Sequence, residues 1–183
     1  MDLLTLDTNA LRDWAWCEDK TSEKRFENNL VKKKSLRRIF DKLRAMKKDG
    51  KCELGITTQI YTDYGKSPGE LPGYIEEMIG KYADISLSSP SISTFPWAFP
   101  FVFANKDEIF KLFIDVFPNS KPNHKKYYKN YKDALQLYAH KIAGRDYFIT
   151  TDATILRAKD ILGSKWSIKI KTPESYISLL SKT

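Results

Sequence analysis

The sequence predicts a single α/β domain, spanning residues 1–183, built around a mainly parallel β-sheet. Three observations support this fold class. Short apolar runs typical of buried strands alternate along the chain with longer segments of helical periodicity. Two of these runs end directly in an aspartate, Asp7 and Asp152, as happens where parallel strands end at a polar edge. The length suits one domain, which buries about 70% of the surface of the unfolded chain.

The first half of the chain is predicted to form two strands and three helices. In order, these are a strand at residues 3–6, a helix at 10–16, a long helix at 23–48, a strand at 51–58 and a helix beginning at 59. Ser22 is a good N-cap for the long helix, and Gly50 ends it. The apolar residues of the long helix recur mostly at three- or four-residue spacing, which predicts one core-facing side and a basic outer side.

The second half is predicted to alternate helices with two further strands. The helices lie at about 106–117, 123–143, 154–162 and 173–180, and the strands at 147–150 and 166–170. Gly144 ends the second of these helices. Thr172 caps the last helix, and Pro173 and Glu174 are favoured in its first turn. Strands separated by helices predict an α/β sandwich.

Residues 65–122 differ in composition from the rest of the chain. They contain seven of the eight prolines and a dense aromatic run at Phe95–Phe103. The segment is too apolar to be disordered, so it is predicted to be an insertion that packs on the main domain. The aromatic run favours a role in the core or in an oligomer contact over a ligand site.

The net charge of +8 is concentrated in two segments. Residues 23–49 contain eleven Lys or Arg and four acidic residues, and residues 121–132 contain five Lys and no acidic residue. Clustered basic charge is what an anionic polymer such as RNA requires, because binding releases condensed counterions. For a lysine-rich helix alone, a solvated outer face is the simpler explanation.

The remaining composition excludes several classes of protein. No apolar stretch approaches the roughly 20 residues of a membrane span, and the N-terminus has an acidic residue where a signal peptide carries positive charge. Cys17 and Cys52 cannot form a disulfide framework, and no Cys/His cluster suggests zinc. We therefore expect a cytoplasmic protein with no membrane partner.

Four aspartates are candidates for a shared site. Asp7 and Asp152 follow predicted strands, Asp133 lies in a predicted helix, and Asp63 follows the second strand. Ligand sites of parallel α/β sheets lie at the carboxyl ends of the strands, where such residues converge. Grouped carboxylates repel one another unless a cation neutralises them, and oxygen ligands suit Mg²⁺ or Mn²⁺. An isolated Asp at a strand end often only caps the following helix.

Four motifs stand out along the chain, at residues 4–11 (LTLDTNAL), 133–144 (DALQLYAHKIAG), 148–152 (FITTD) and 170–174 (IKTPE). They resemble the motifs of PIN domains. Their order, spacing and terminal placement together carry the resemblance, which covers about residues 1–64 and 123–180. It implies a three-layer sandwich with a central, mainly parallel sheet.

The resemblance also implies a function, that of a metal-dependent endoribonuclease as in VapC-like toxins. It implies that Asp7, Asp133 and Asp152 are metal ligands and that Thr150 supports the catalytic site. The second acid of the family is usually Glu, and Asp63 takes its place here with a side chain shorter by one methylene. Asp146 is an alternative extra acid.

Substrate binding is assigned to Asn9 and to three lysines, Lys125, Lys126 and Lys129. The lysines are interleaved with tyrosines at residues 127, 128 and 131. Aromatic rings stack on unpaired bases while lysines contact phosphates. The alternative is an amphipathic helix whose tyrosines are half-buried. His140 shares the helix of Asp133 and is expected to be a core or surface residue, not a catalytic base.

Other functions fit the sequence less well. A haloacid dehalogenase-type phosphatase requires a second Asp two residues after its nucleophile, and Asn9 stands there. A response-regulator receiver requires an acidic pair near the N-terminus that Asp2 and Asp7 do not make. The main alternative is a non-catalytic PIN-like module that binds RNA or protein. The sequence leaves open whether the chain is a toxin with an antitoxin partner, and whether it forms a homodimer.

Overall fold

The computed structural model describes residues 1–18, 30–57, 86–87, 92–93, 102–103, 105–123 and 126–180. Its strands are β1 (Asp2–Leu6), β2 (Cys52–Ile56), β3 (Ser86–Leu87), β4 (Ile92–Ser93), β5 (Val102–Phe103), β6 (Tyr147–Ile149) and β7 (Ile170–Lys171). Its helices are α1 (Thr8–Cys17), α2 (Leu30–Lys48), α3 (Lys106–Val116), α4 (Tyr127–Ile142), α5 (Ala153–Arg157), α6 (Lys159–Trp166) and α7 (Pro173–Leu180).

The main sheet has five strands in the order β3-β2-β1-β6-β7, and each neighbouring pair is parallel. The predicted α/β class with a parallel sheet is therefore confirmed. In the register of β1 and β6, Leu6 pairs with Ile149. Asp7 and Thr150 each follow by one residue, so the two strands end side by side at the centre of the sheet.

Helices cover both faces of this sheet, and each face has its own core. Side chains of successive strand residues point to opposite faces. Accordingly, Ile149 packs in the core formed with α1, α2 and α7, and Phe148 packs in the core formed with α3, α4, α5 and α6. The rings of Trp14 and Phe40 stack at a centroid distance of 5.0 Å, which joins α1 to α2.

The described part of the long basic helix is amphipathic, as predicted. Leu36, Phe40 and Leu43 of α2 are buried, and most of its lysines and arginines are exposed. The predicted Ser22 cap and residues 23–29 lie outside the described residues, as do residues 59–64. The same holds for most of the aromatic run Phe95–Phe103, of which the backbone of β5 is described.

The helix of the insertion that the structure describes, α3, packs on α4. Phe113 of α3 lies against the ring edges of Tyr127 and Tyr131, at centroid distances of 5.2 and 5.9 Å. Asn105 caps α3 by accepting hydrogen bonds from the backbone N–H groups of Asp107 and Glu108. In the described part of this region, β4 and β5 also form a separate parallel pair.

Two predicted boundaries in the second half are wrong. Residues 166–170 were expected to form a strand, but Trp166 ends α6 and only Ile170–Lys171 is strand. Trp166 is buried, and its indole N–H donates to Asp115 Oδ2 at 2.8 Å, so tertiary packing outweighs its strand propensity. The helix predicted from residue 123 begins instead at Tyr127, after a turn at Pro122. Among the helices described, none has the length and apolar character needed to cross a membrane.

Candidate functional site

The carboxylate of Asp7 lies at the carboxyl end of β1 and is almost fully buried. The Thr150 hydroxyl donates to Asp7 Oδ2 at 2.6 Å, and Asn9 Nδ2 approaches the same oxygen at 3.4 Å. Although Asp7 is the N-cap residue of α1, its side chain makes no capping hydrogen bond. The carboxylate is therefore not used to cap its own helix and accepts instead from Thr150, which follows β6.

Asp152 has two structural tasks, one for each carboxylate oxygen. Its Oδ1 caps α5 by accepting from the backbone N–H groups of Thr154 and Ile155, at 2.8 and 3.4 Å. Its Oδ2 accepts from Asn9 Nδ2 at 3.3 Å. The capping role and a role in a shared site are thus not alternatives for this residue.

Asn9 links the acidic residues that follow the two central strands. Its single Nδ2 atom lies within hydrogen-bond distance of both Asp7 Oδ2 and Asp152 Oδ2. The Arg12 guanidinium donates to Asn9 Oδ1, one turn further along α1. This bond orients the Asn9 amide so that its N–H groups face the two carboxylates.

Lys129 brings the third aspartate into the group. Its Nζ lies 3.0 Å from Asp133 Oδ2, one helical turn away on α4, and 3.2 Å from Asp152 Oδ2. Burial acts to lower the pKa of Lys129, but the two carboxylates outweigh it and raise that pKa above its usual value. For Asp152, burial acts to raise the pKa, and Lys129 with the helix-cap N–H groups lowers it overall. Asp7, Asp133, Asp152, Asn9 and Lys129 together form what we call the acidic crevice.

Two cavities open on the acidic crevice and share Asn9 as a lining residue. One, of about 620 Å³, is lined on its basic side by Lys32 of α2 and contains Asp152. The other, of about 320 Å³, is lined by Lys129, Lys132 and Arg12 among others. Both basic segments of the sequence therefore reach the crevice, one from each side.

Asp13 is a further acidic residue at this site that the sequence did not single out. It lies on α1, lines the 620 Å³ cavity and is buried, with the Thr151 hydroxyl donating to its Oδ2 at 2.8 Å. A signal existed in the sequence, because Asp13 stands between Leu11 and Trp14 on an otherwise apolar helix face. A charged residue in such a position needs a polar partner, which only the fold identified.

Several predicted site residues lie elsewhere. Asp146 precedes β6 at the opposite, amino edge of the sheet, where its Oδ2 accepts from the backbone N–H of Leu3 at 2.8 Å. The suggestion that Asp146 supplements the site is therefore wrong. Lys126 lines a separate cavity of about 590 Å³, which also contains Arg157. Asp63 and Lys125 lie outside the described residues.

Other nucleophiles and bases are buried away from the crevice. His140 Nδ1 lies 2.8 Å from the hydroxyl oxygen of Thr5, and burial, aided by the charge of Arg145, lowers its pKa to about 4. Of the two places expected for His140, the core or the surface, the structure shows the core. Both cysteines are buried and free, and burial raises the thiol pKa of Cys17 to about 12 and that of Cys52 to about 11. None of these groups is presented to a ligand at neutral pH.

The donor set of the crevice fits a hard divalent cation in charge and in atom type. Oxygens of Asp133 and Asp152 already flank a cationic nitrogen, that of Lys129. Carboxylate oxygens are the ligands that Mg²⁺ and Mn²⁺ prefer. Within the described residues, however, no three His, Cys, Asp or Glu side chains are gathered around one point as a finished metal site. A divalent ion bound at Asp133 and Asp152 would have to compete with the Lys129 ammonium for the same oxygens.

Fold and site together define an α/β protein with an acidic crevice at the carboxyl edge of a parallel sheet. No protein-family model matches the chain, and no curated protein matches it significantly. The geometry of the crevice and the charge around it are therefore the features of this protein that indicate a function.

Proposed function

We propose that this protein is a PIN-like, metal-dependent endoribonuclease that hydrolyses phosphodiester bonds of RNA at the acidic crevice. The observation that supports this proposal best is the convergence of Asp7, Asp133 and Asp152. They come from three separate segments, yet two shared nitrogens, Asn9 Nδ2 and Lys129 Nζ, connect them all. Buried carboxylates in such a group are costly unless a cation is part of the design.

The three aspartates would hold Mg²⁺ or Mn²⁺. A metal bound there supplies activation of a water molecule and stabilisation of the leaving oxygen. The remaining residues orient the ligands. Thr150 fixes Asp7 through its hydroxyl and also accepts the backbone N–H of Asp152 at 3.0 Å, so one side chain positions both strand ends.

The basic surroundings favour a nucleic acid as substrate. An acidic crevice alone repels the phosphate backbone, so productive binding needs positive charge on its flanks. Lys32 lies on one flank, and Arg12 and Lys132 lie on the other. Because each phosphate contact releases counterions, binding should weaken steeply with salt.

Cleavage of a single-stranded RNA, measured with Mg²⁺ or Mn²⁺ and again with excess chelator, tests the proposal. We expect cleavage that chelation abolishes. Asp7→Asn should remove the activity while leaving the fold intact, because the amide oxygen can still accept from Thr150. The matched control is Asp146→Asn, at the other edge of the sheet, which should cut normally. Full activity of Asp7→Asn, or of wild type in chelator, contradicts the mechanism.

A second candidate is a module that binds RNA without cutting it. The observation in its favour is the bridge from Lys129 to Asp133 and Asp152, which neutralises part of the crevice without any metal. This candidate predicts RNA binding that chelator leaves unchanged and no cleavage with either ion. The roles of toxin and cytoplasmic enzyme, an antitoxin partner and a homodimer stay predictions from the sequence.

A further inference from the structure

The three tyrosines at the start of α4 have different environments. Tyr127 and Tyr131 are partly buried and pack edge-on against Phe113 in the core. Tyr128 has 77% of its surface exposed, and its ring touches only the edge of its neighbour Tyr127, at a centroid distance of 5.8 Å, among the ring contacts described. Packing therefore explains two of the tyrosines and leaves Tyr128 with an aromatic face directed to solvent.

Tyr128 borders the 320 Å³ cavity that opens on the acidic crevice. Arg12 and Lys132 line the same cavity, together with Asn9, Lys129 and Asp133 of the acidic crevice. An exposed ring, two cationic side chains beyond Lys129 and part of the carboxylate site thus share one small depression. A base requires a planar apolar face, and the phosphate attached to its nucleoside requires positive charge.

We propose that this cavity is a nucleotide subsite in which an unpaired RNA base stacks on Tyr128 and the adjoining phosphate contacts Arg12 and Lys132. The proposal rests on the proposed function for its ligand class and narrows it to single-stranded RNA. A base inside a duplex has no free face, so a stacking subsite excludes it. The subsite positions the strand next to the carboxylates and contributes to binding before any metal-dependent step.

Binding of a fluorescently labelled oligouridylate of about twelve nucleotides, followed by anisotropy in chelator at about 50 mM salt, tests the subsite apart from catalysis. Tyr128→Ala should weaken binding at least about fivefold, as expected for the loss of one stacked base. Tyr128→Phe retains the ring and should bind within about twofold of wild type. The matched control is Phe110→Ala, which removes another exposed aromatic ring, on α3, and should change nothing.

Two further variants distinguish loss of base stacking from a general perturbation of the fold. Tyr128→Leu keeps an apolar, helix-favouring side chain without a planar face and should bind as weakly as Tyr128→Ala. Lys132→Gln should reduce the slope of log affinity against log salt by about 0.7, the value for one phosphate contact on a single strand. Unfolding temperatures of all variants establish that each is folded.

Other binding results would contradict the subsite, the ribonuclease proposal or both. If Tyr128→Ala or Tyr128→Leu binds the oligouridylate as tightly as wild type, the subsite is wrong and the ribonuclease proposal stands. If a duplex RNA of the same length competes as well as the single strand, stacking on Tyr128 is also wrong. If wild type binds no RNA in chelator yet cleaves it with Mg²⁺ or Mn²⁺, the subsite is wrong and the ribonuclease proposal stands. If wild type neither binds nor cleaves RNA, both proposals fail together.

Discussion

The two edges of the parallel sheet use acidic residues differently. At the amino edge, Asp146 and Asp2 each meet a neutral partner of their own. Asp146 accepts from the backbone N–H of Leu3 at 2.8 Å, and Asp2 accepts from the Tyr176 hydroxyl at 3.1 Å. Such bonds satisfy one carboxylate each and tie a terminal element to the sheet.

At the carboxyl edge, by contrast, the acids share their donors. Asp7 and Asp152 both accept from the amide nitrogen of Asn9. Asp152 and Asp133 both pair with the ammonium of Lys129. Shared donors leave lone pairs of buried carboxylates in need of positive charge. The difference teaches that the two edges are distinguished less by the presence of acids than by competition between neighbouring acids for the same donor.

The largest expected effect breaks the carboxyl edge while preserving the helix that begins there. Asp152→Asn removes the charge, but Asn is also a good N-cap, so α5 remains capped. We expect RNA cleavage to fall at least about a hundredfold while stability stays near that of wild type. Asp152→Ala should lose the same activity and, in addition, about 1 kcal/mol of unfolding free energy. Cleavage rates and denaturant unfolding measure the two effects.

Equal stability of Asp152→Asn and Asp152→Ala would show that the cap contributes nothing. RNA cleavage retained in Asp152→Asn would show that activity at the carboxyl edge does not depend on the negative charge of Asp152.

The second effect concerns the interior between the two edges. With a folded pKa of about 4 against 6.5 in the unfolded chain, His140 is neutral in both states at pH 7.5. Below about pH 6.5 His140 is protonated in the unfolded chain, whereas in the folded chain it stays neutral down to about pH 4. Because the unfolded state then binds more protons, the free energy of unfolding falls as the pH drops. At pH 4.5 the loss amounts to about 2–3 kcal/mol.

His140→Gln can still bond to the Thr5 hydroxyl and should lack this part of the pH dependence. Denaturant unfolding of wild type and His140→Gln at pH 7.5 and 4.5 measures this pH dependence. The carboxylates present in both proteins contribute equally, so their titration cancels in the comparison. Parallel pH profiles for the two proteins would contradict the assignment.

The third effect tests the strand face where Gly55, one residue before the end of β2, meets the side chain of Arg145. A Cβ added to Gly55 would lie 2.5 Å from the guanidinium of Arg145. That guanidinium is held by the Leu4 carbonyl at 2.7 Å and by Glu53 at 3.1 Å, so it cannot move aside freely. Gly55→Ala should therefore destabilise the fold by about 1–3 kcal/mol.

Thermal unfolding measures the cost of Gly55→Ala, and Gly163→Ala is the control, since its added Cβ meets nothing within 4 Å. In the double variant with Arg145→Ala, the clash should disappear. A double variant whose stability is the sum of the two single losses would contradict this explanation.

The smallest effect refines the carboxyl edge. Lys129→Met removes the ammonium that a divalent ion must displace, so Mn²⁺ should bind more tightly. Because more than half of the Lys129 side chain is exposed, the gain should be no more than about 1 kcal/mol, or roughly fivefold. Calorimetric titration with Mn²⁺ measures it. Lys141→Met, on the same helix but paired with Glu108 at 3.9 Å, should bind Mn²⁺ as wild type does. Weaker binding in Lys129→Met would mean that the lysine assists the ion.

Local sequence patterns predicted much of the fold. Short apolar runs and helical spacings, with Gly144 and the Pro173 signal, predicted most described elements to within a few residues, because these signals act over one or two turns. The failure at residues 166–170 has a tertiary cause. The partner of Trp166, Asp115, is 51 residues away, and no local signal reports such a bond.

The sequence by itself determined the class of the fold and the position of Asp7, Asp133 and Asp152 along the chain, because strand ends and helix faces follow from nearby residues. Only the tertiary structure decided how these acids are used. It placed Lys129 between two of them, brought Asp13 to the same cavity and sent Asp146 to the opposite edge. The physical reason is that a carboxylate takes its role from the donors that reach it, and here those donors come from distant segments.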